Sequence, residues 1–581
     1  MSKFSCRTAV ACCLIAAAGQ ALAAPAAIRL DQLGFAPGAR KLAIVEGDDA
    51  PSTFSVVRAD NGRVVLRGQT SAPATWEPAG RSAAVADFSA LVAPGRYRLQ
   101  VRGLPASDPF NIDPGAYAGL ADAALKAYYY NRASFALDAA HAGPYARAAG
   151  HPDTEVEIHP SAASPGRPAG TVVSAPKGWY DAGDYNKYVV NSGISTWTLL
   201  TAFEHYPAFF RGRDINIPES GNAVPDILDE ALWNLEWMLA MQDPGDGGVY
   251  HKLSNLSFDG SVMPAQATAR RYMIGKGTAA TLDFAALMAK ASRVYAPYQT
   301  QFPGLSARMR KAAEAAWGWA LVHPAVAYVQ PDDVKTGGYN DDKFADEFAW
   351  AAAELYLLTG EKTYFQTFER YAATPDVPSW ANVGSLGWIS LATAAERLPD
   401  DAARARVKTA VGSTAAALAA KWQLSPWRVA TQKEDFRWGS NADVLNQAMI
   451  LLQGYRLGGG REQLDAAQSQ LDYVLGRNPL GVSFVTGQGV RTPMHIHHRP
   501  SEADGVDAPV PGWLSGGPNP GQQDSKECGA VRYPSNLPAL SWLDDTCSYA
   551  SNEVAINWNA PLVYVAAALQ SLTPPAAPKT N

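Results

Sequence analysis

Four carboxylates in two short segments are the residues of this sequence whose types and spacing are best suited to chemistry. Asp544 and Glu553 lie in a run of aromatic and amide side chains at residues 542–561. Far upstream, Asp181 and Asp184 lie three positions apart, with Trp and Tyr residues on both sides. Two carboxyl groups in an aromatic cleft can act as the acid and the base of glycosidic-bond hydrolysis. The two segments therefore predict a site that cleaves sugar chains.

Asp181 and Asp184 are separated by an alanine and a glycine. Small residues between two acids let the backbone turn tightly, so that both carboxylates reach one small volume. There, one carboxylate can hold a water molecule and the other can orient it. A calcium loop or a helix cap would have the same D-x-x-D pattern, and the motif by itself leaves these alternatives open.

Glu553 begins an apolar run that looks helical, at residues 554–558. A carboxylate at a helix start can simply be a partner of the helix dipole. Burial among the neighbouring Tyr and Trp side chains would instead raise the pKa of Glu553 and keep it protonated, as a general acid requires. Its combination with the aspartate pair favours the acid role.

Imidazole and guanidinium side chains cluster in a loop at residues 483–501, where His495, His497, His498 and Arg499 occur together. Zinc binding lacks support, because the loop has no Cys and no pair of His at helical i, i+4 spacing. Hydrogen bonding to sugar hydroxyls and orientation of a carboxylate suit the same side chains. The cluster alone leaves metal binding and sugar binding open.

The elements that must position these residues differ between the two ends of the chain. Residues 28–112 alternate apolar and polar side chains in short runs, separated by turn signals such as Asp60-Asn61-Gly62. A segment of this size with this pattern predicts a small β-sandwich. It holds no clustered His or Cys, so we expect it to have a structural role.

After Asp113 the sequence changes to alanine-rich segments in which apolar positions recur every three or four residues. An even number of helices with long loops, such as residues 479–552, predicts paired helices that close into a ring. We expect about twelve helices, over residues 116–135, 192–204, 226–242, 278–295, 305–319, 346–359, 363–371, 384–395, 402–422, 443–457, 461–475 and 554–571.

The first residues have the pattern of a secretory signal peptide. Lys3 and Arg7 precede an apolar stretch at residues 8–18, and Ala21-Leu22-Ala23 forms a cleavage site. A membrane anchor is the alternative, but the stretch is shorter than the ~20 residues that span a bilayer. We expect cleavage after Ala23 and a secreted protein, extracellular or periplasmic, without membrane association.

Only two of the five cysteines, Cys528 and Cys547, lie beyond this leader. In an oxidising compartment they predict one disulfide, which would contribute about 3 kcal/mol in the chain-entropy model. The alternative of a metal site lacks further Cys or His at the spacing that zinc requires.

The charge of the chain limits its partners. The formal charge of −6 becomes −8 without Lys3 and Arg7. The chain contains 16 Trp residues, and only 18% of its residues are charged. A mildly acidic surface argues against nucleic acid as a partner. Many aromatic rings suit a neutral ligand that stacks on them, and we expect the protein to be a monomer.

The motifs together resemble glycoside hydrolase family 9, the inverting cellulases, in the subgroup with an N-terminal immunoglobulin-like domain. The aspartate pair is similar to the family's DAGD motif, and residues 483–499 are similar to its histidine signature. Residues 28–35, IRLDQLGF, are similar to the start of the N-terminal module. A second signature of the family is matched by Trp542, Asp544, Tyr549 and Glu553.

The resemblance implies a multidomain fold. An all-β immunoglobulin-like sandwich at residues 24–112 would precede an all-α (α/α)6 barrel catalytic domain at residues 113–573. The signal peptide would occupy residues 1–23, and residues 574–581 would form a C-terminal tail.

The resemblance also implies a role for each residue of the site. Asp184 would be the general base, Asp181 would help to hold the attacking water, and Glu553 would be the general acid. Substrate binding and the positioning of these groups would fall to Asp544, His497 and Arg499, and stacking on glucose rings to Trp438, Trp380 and Tyr549.

The resemblance also implies which metals to expect, although the chemistry itself needs no cofactor. A calcium site would use the hard oxygen ligands of Asp341, Asp342, Asp346 and Glu347, although Asn382 stands where a further acid often completes it. The zinc ligands of some relatives correspond here to Ala133, Gly150, His151 and Asn186, so we expect no zinc.

The leading hypothesis is a secreted endo-β-1,4-glucanase, a cellulase, that hydrolyses β-1,4-glucan polysaccharides or oligosaccharides with inversion. An exo-acting enzyme, such as a cellobiohydrolase or an oligosaccharide-trimming member, is the first alternative. In that case residues 517–538 could block one end of the cleft. A non-catalytic glucan-binding protein is the second alternative, which the presence of Asp184 and Glu553 disfavours.

Overall fold

Two antiparallel-rich β-sheets form the N-terminal part of the protein. The structure, a computed structural model, describes residues 27–48 and 51–573, so the predicted signal peptide and C-terminal tail lie outside the described residues. One sheet has the strand order β1 (Ile28–Arg29), β3 (Leu42–Glu46), β7 (Arg81–Asp87) and β6 (Ala74–Trp76). The other has the order β2 (Gly34–Phe35), β9 (Phe110–Ile112), β8 (Gly95–Val101), β4 (Thr53–Arg58) and β5 (Val64–Gln69).

Strand β3 shows how these sheets join the rest of the molecule. All five of its residues are buried, unlike a strand with one face in water. Ala43 and Val45 pack into the core between the two sheets. Leu42 and Ile44 point to the other face, where they join the core of the helical part. The β-sheet domain therefore shares a hydrophobic core with the helices that follow.

Helices make up most of the chain after residue 112. Twelve of those described have ten or more residues, which confirms the predicted number. The helices are α1 (Ala118–Tyr130), α2 (Ala139–Ala142), α3 (Val189–His205), α4 (Pro207–Arg211), α5 (Asp226–Ala240), α6 (Thr278–Tyr295), α7 (Leu305–Val322), α8 (Ala345–Thr359), α9 (Lys362–Tyr371), α10 (Gly384–Thr393), α11 (Asp401–Leu424), α12 (Ser440–Arg456), α13 (Arg461–Val474), α14 (Arg499–Ala503), α15 (Tyr549–Asn552) and α16 (Ile556–Leu572).

The long helices pack in pairs. Helix α3 lies between α16 and α6, α6 contacts α8, α8 contacts α10, and α12 contacts α16. A second set flanks these helices: α1 packs on α16, α5 on α3, α7 on α6, α9 on α8, and α13 on α12, while α11 contacts both α10 and α12. No helix among the described residues is long and apolar enough to cross a membrane.

A third sheet lies among the loops of the helical part, where the sequence pattern predicted no strands. Its order is β11 (Val172–Val173), β10 (Val156–Ile158), β14 (Tyr272–Lys276), β13 (Tyr250–Ser254) and β12 (Lys187–Tyr188). Every residue of β13 is buried, including His251 and Lys252, so it lacks the alternation of apolar and polar residues that would reveal a strand.

Candidate active site

A cleft of about 800 Å³ brings the predicted carboxylates together. Its walls come from the segment before α3, the loop before α8, the start of α12 and the segment before α16. Asp181, Asp184 and Glu553 all line it, although 369 positions separate the last two in the sequence. Of the remaining predicted site residues, the cleft also contains His497, Arg499, Trp438, Trp380 and Tyr549.

Gly183 explains why the aspartate pair needs a small residue between its members. A Cβ atom at this position would lie 2.3 Å from the carbonyl oxygen of His497, so only glycine permits this approach of the two segments. The following residues orient Asp184: its Oδ2 accepts hydrogen bonds from Asn186 Nδ2 at 2.6 Å and from the Tyr188 hydroxyl at 3.3 Å. The pair is thus part of a rigid turn rather than a helix cap.

Asp181 is almost completely buried, with 1% of its surface exposed. Its Oδ1 accepts a hydrogen bond of 2.6 Å from Asn191 Nδ2, and its Oδ2 accepts one of 2.6 Å from the Tyr339 hydroxyl. Burial, together with the nearby charge of Asp184, raises the pKa of Asp181 to about 8. The two hydrogen bonds favour the ionised form and oppose this rise.

Glu553 lies between two helices rather than at the start of one. It follows α15, has extended backbone angles (φ −69°, ψ 162°) and precedes the first residue of α16 by three positions. The prediction that Glu553 begins a helical run is therefore wrong, and so is the alternative of a first-turn dipole partner. Burial raises its pKa well above the ordinary value, and the charges of Asp184 and Asp181 raise it further.

The backbone around Glu553 is fixed by the segment that carries His497. The amide of His497 donates to the carbonyl of Asn552 at 3.0 Å, and His497 and Glu553 pair as a parallel β-bridge. On the other side, the amide of Gly516 donates to the Glu553 carbonyl at 2.8 Å. Glu553 is therefore held from both sides, which restricts the position of its carboxyl group.

His497 and Arg499 face the cleft in fixed orientations. His497 Nδ1 donates to the carbonyl of Thr546 at 2.6 Å, which leaves Nε2 free to accept a proton or hydrogen bond. Burial lowers the pKa of His497 and favours the neutral ring. Arg499 donates through Nη1 to the Gly183 carbonyl and through Nε to the Asp259 carbonyl, both at 2.8 Å.

The other two histidines of the cluster do not line the cleft. His498 is buried, and its ring nitrogens bond to Ser501 Oγ and Asn131 Oδ1. Burial lowers the pKa of His498 to about 3. Across residues 27–48 and 51–573, no three His, Cys, Asp or Glu side chains form a group that could hold a metal ion. Within the cluster, His497 and Arg499 thus line the cleft, whereas His498 is a buried core residue.

Asp544 lies outside the cleft lining and connects its walls. The carboxylate accepts hydrogen bonds from the amides of Met494 at 3.0 Å and His495 at 2.9 Å, and from Asn552 Nδ2 at 3.0 Å. It therefore joins the segment before His497 to the residue before Glu553. This geometry suits a positioning role and provides no direct contact with a ligand in the cleft.

Aromatic rings form two walls of the cleft. On one, Trp438 lies 5.3 Å from Tyr549, which lies 5.9 Å from the His497 ring, measured between ring centroids. On the other, Tyr339 lies 5.1 Å from Trp380 and 4.8 Å from Tyr188. Trp438 is 42% exposed, which leaves a face available to a ligand. The two walls could therefore hold the flat, apolar faces of sugar rings.

Sequence reasoning missed Tyr188, Asn191 and Tyr339, which contact the aspartate pair. Tyr188 and Asn191 lie within ten residues of Asp181, so proximity in sequence could have indicated them. Tyr339 is 158 positions away and belongs to no recognisable pattern, although it directly precedes Asn340 and the acidic residues Asp341 and Asp342. Only the fold brings its hydroxyl to the carboxylate.

The structure joins Cys528 and Cys547 in a disulfide, with the Cα atoms 5.1 Å apart. The bond lies behind the wall that carries Tyr549: the Tyr549 hydroxyl donates to the Gln523 carbonyl at 3.4 Å, and the Ala550 amide donates to Asp524 at 2.6 Å. Within the part of the chain that the structure describes, no residue of 517–538 lines the cleft. This segment supports a wall and does not cover an end of the cleft.

Asp283 of α6, which was not among the predicted calcium ligands, lies close to them. Both carboxylate oxygens of Asp283 are buried and have no hydrogen-bond partner, as do one oxygen of Asp341 and one of Glu347. Burial raises the pKa of Asp283 and of Glu347, and the nearby carboxylates raise both further. One carboxylate oxygen of Asp346 accepts a hydrogen bond of 2.9 Å from the Val383 amide, and Asp342 is exposed.

The residues at the zinc positions of some relatives have other partners in this protein. His151 Nδ1 bonds to the Tyr180 hydroxyl at 2.8 Å, and Asn186 donates to Asp184. Ala133 is a buried apolar residue in the same cluster as Tyr180. These side chains offer one imidazole and no thiolate, a donor set that does not fit zinc.

Two family models match the sequence. One, described as Glycosyl hydrolase family 9, matches residues 117–566, and the other, described as Cellulase N-terminal ig-like domain, matches residues 23–106. The Bacteroides ovatus protein named Xyloglucan-specific endo-beta-1,4-glucanase BoGH9A is 44% identical, over 94% of this chain and 94% of that protein.

A further relative matches this chain in sequence, and a solved structure matches its fold. Endoglucanase D of Acetivibrio thermocellus is 32% identical, over 94% of this chain and 84% of that protein. The solved structure described as Bacteroides ovatus GH9 superimposes with a TM-score of 0.88 and 41% identity, over 94% of this chain and 99% of that chain. Both matches extend over the β-sheet and helical parts together.

Proposed function

We propose that this chain, which belongs to glycoside hydrolase family 9, is an endo-β-1,4-glucanase that hydrolyses β-1,4-glucans with inversion of configuration. One observation carries the proposal: Asp184 and the proton-retaining Glu553 line the same aromatic cleft. Two carboxyl groups in different protonation states are the minimum that an inverting hydrolase needs. A cleft that merely bound glucan would not need either of them.

Glu553 is the general acid in this mechanism. Its raised pKa favours the protonated carboxyl group, which can donate its proton to the oxygen of the leaving sugar. Burial is the main cause of that rise, and the charge of Asp184, with that of Asp181 when it is ionised, adds to it because a further negative charge in the cleft is unfavourable. The aspartate pair therefore both binds the water and maintains the protonation of the acid.

Asp184 is the general base, and Asp181 helps to hold the attacking water. Asp184 Oδ2 is held by Asn186 and Tyr188, so the carboxylate has a defined direction for removing a proton from water. Asp181 is fixed by Asn191 and Tyr339 beside it. In an inverting reaction the water attacks the face opposite the leaving group, which requires about 6.5–9.5 Å between base and acid.

The remaining residues bind the glucan and position these groups. Trp438, Trp380 and Tyr549 supply ring faces for glucose units, while His497 and Arg499 supply hydrogen bonds to hydroxyl groups. Asp544 fixes the two segments that carry His497 and Glu553. No cofactor is required for this chemistry.

The proposal is tested by the products of purified enzyme acting on cellopentaose and carboxymethylcellulose. We expect rapid loss of viscosity with few new reducing ends, and α-anomeric products in the first minutes by proton NMR. Glu553→Gln should lose at least ~100-fold in kcat, because it removes the proton donor and preserves the shape. Unchanged turnover in Glu553→Gln would refute the acid assignment, and single-sized products from one chain end would indicate an exo-acting enzyme.

Xyloglucan is a second candidate substrate, and one observation favours it. The relative that is 44% identical over 94% of both chains is named as xyloglucan-specific. Parallel assays on xyloglucan, on β-glucan and on carboxymethylcellulose distinguish the candidates. A kcat/KM on xyloglucan at least tenfold above that on the unbranched glucans would assign this enzyme to the branched polymer.

We also propose that the twelve long helices close into an (α/α)6 barrel. The pairing of α3, α6, α8, α10, α12 and α16 with outer neighbours supports this arrangement, as does the contact between α16 and α3. The corresponding domains are residues 24–112 and 113–573, between a signal peptide at 1–23 and a tail at 574–581. Mass spectrometry of the exported protein would test cleavage after Ala23, and light scattering would test the monomer.

Calcium is proposed as a structural ion rather than a reactant. Asp283, Asp341, Asp346 and Glu347 supply only oxygen donors, and several of these oxygens are buried without partners, which is the chemistry that a hard cation prefers. Within the described residues these carboxylates are not yet grouped as a metal site, so binding would require their side chains to move closer together. When bound, such an ion would neutralise charge at the start of α8. Zinc is not proposed, because the donor set around His151 does not fit it.

A further inference from the structure

Phe258 is an exposed aromatic residue of the cleft that belongs to neither of its two aromatic walls. Its side chain lines the cleft, and 48% of its surface is exposed. An apolar ring in this position forgoes the stabilisation that burial would provide. The ring therefore calls for an explanation beyond packing.

The segment around Phe258 is held in place at three points. The Lys335 amide donates to the Leu256 carbonyl at 2.6 Å, and Asn255 Nδ2 donates to Asp259 at 2.6 Å. Arg499 Nε donates to the Asp259 carbonyl at 2.8 Å. Phe258 is thus presented by an anchored segment, so its ring stays beside the cleft.

Arg499 connects Phe258 to the aromatic wall that contains His497. The guanidinium carbon of Arg499 lies 5.5 Å from the centroid of the Phe258 ring. On the other side of His497, Tyr549 and then Trp438 continue the same row at 5.9 Å and 5.3 Å. Since His497 pairs with Glu553, the acid lies beside the middle of this row, with Trp438 towards one end and Phe258 towards the other.

We propose that Phe258 and the guanidinium of Arg499 form a glucosyl-binding platform on the opposite side of the scissile bond from Trp438. The inference rests on the proposed glucanase function. The apolar C–H face of a glucose ring packs on Phe258, as sugar faces pack on aromatic rings elsewhere in such sites. Arg499 commits Nε and Nη1 to backbone carbonyls, and no acceptor among the described residues takes Nη2, which is therefore available to a sugar hydroxyl.

A platform on each side of the acid explains internal cleavage. A glucan chain bound to both Trp438 and Phe258 places an inner linkage, rather than a terminal one, at Glu553. The distribution of sugar units between the two platforms then determines which linkage of a short oligosaccharide is cut. Weakening one platform should shift the bound chain towards the other.

The test measures which linkage of cellopentaose is cut. Hydrolysis in H₂¹⁸O places the heavy oxygen at the new reducing end, so mass spectrometry identifies each cleavage position. We expect Phe258→Ala to lower kcat/KM by about three- to tenfold, the range of an aromatic contact, and to shift the cleavage positions in one direction. Trp438→Ala should shift them in the opposite direction.

Two further variants control for general damage. Phe258→Tyr keeps a ring and should retain the wild-type cleavage pattern. Leu424→Ala removes another exposed apolar side chain, 85% exposed and outside the cleft lining, and should change neither rate nor pattern. Circular dichroism melting of every variant identifies loss of folding.

The outcomes separate this inference from the proposed function. An unchanged cleavage pattern in Phe258→Ala, or a shift in the same direction as in Trp438→Ala, would overturn the platform while the glucanase assignment stands. A wild-type enzyme that cleaves no β-1,4-glucan would overturn the function itself, and the platform with it.

Discussion

The hydroxyl of Tyr339 donates a hydrogen bond of 2.6 Å to Oδ2 of Asp181. To make this contact, Tyr339 adopts a left-handed backbone conformation, at φ 48°, which is unfavourable for a residue with a bulky side chain. Strain of this kind persists where surrounding contacts impose it, and it is concentrated at functional sites. Here the neighbouring carbonyls of Gly337 and Gly338 are bound by Lys252 at 2.6 Å and by His251 at 2.7 Å.

Tyr339→Phe should lower kcat by about tenfold and leave KM within about twofold, since a hydrogen bond contributes about 0.5–1.5 kcal/mol and the ring stays in place. The lost hydrogen bond also favours the protonated form, so the pKa of Asp181 should rise further. A pH–rate profile on a soluble β-glucan measures both effects. Equal loss of binding and turnover would instead show that the ring acts only as a sugar contact.

Lys252→Met should lower kcat, although Lys252 itself makes no direct contact with the substrate. Its buried ammonium donates to the Gly337 carbonyl, to Thr336 Oγ1 and to Gln330 Oε1, and these bonds fix the loop that carries Tyr339. Burial lowers the pKa of Lys252 to about 7, which shows the cost of placing a cation there. We expect a decrease of about tenfold in kcat, equivalent to ~1.4 kcal/mol of transition-state stabilisation.

Lys290 provides the matched control for Lys252. It is also a buried lysine, but it bonds to Glu204 between α6 and α3 and does not line the cleft. Lys290→Met should destabilise the fold by about 1.5–3 kcal/mol, because it removes a charged hydrogen bond and leaves Glu204 with only the weaker ion pair to Arg293 at 3.8 Å. The folded fraction should retain its kcat. If Lys290→Met reduced kcat as much as Lys252→Met does, the loop would have no special role.

Asp181→Asn should stabilise the protein while it reduces activity. The pKa of Asp181 is about 8 in the folded protein and near 3.8 in the unfolded chain, so the native state keeps a proton that the unfolded state has released. The stability from this proton is fully present below pH ~4 and is lost as the pH rises through about 8. Asn carries no charge, so the variant avoids that loss.

Calorimetry at several pH values measures this effect. Near pH 8, Asp181→Asn should unfold at a higher temperature than the wild type, by the equivalent of about 1–3 kcal/mol. The difference should shrink towards pH 4, where both side chains are neutral. A difference that does not depend on pH would contradict the assigned titration of Asp181.

Much of this molecule is predictable from its sequence, but the contacts between distant loops are not. The twelve long helices follow from the period of their apolar residues, and the DAGD turn, Glu553 and the His497–Arg499 loop follow from residue types and spacing. The predicted helical position of Glu553 failed because Val554 and Ala555 continue an apolar run that is extended rather than helical. Burial on all sides removed the alternation that would have revealed β13.

Phe258, Tyr339 and Asp283 show a second limit of sequence reasoning. Each acts with residues more than sixty positions away: Arg499, Asp181 and Glu347. A lone Phe, Tyr or Asp in a loop or helix has no local pattern that marks its partner. Tertiary packing alone decides which of them reaches a site, so spacing rules could not single them out.

Calcium should stabilise the enzyme through Asp283. Its buried carboxylate oxygens have no partner, and the nearby Asp341, Asp346 and Glu347 repel it, so a divalent cation would satisfy the oxygens and remove the repulsion. An ion that binds only the folded state stabilises by about 2.7 kcal/mol at a concentration one hundred times its Kd. After treatment with a chelator, added Ca²⁺ should therefore raise the melting temperature by several degrees at neutral pH.

Asp283→Asn should abolish this response, whereas Asp342→Asn, which changes an exposed carboxylate, should retain it. An equal response in Asp283→Asn would place the ion elsewhere, and the absence of any response or calorimetric binding in the wild type would show that these carboxylates share protons instead of a cation.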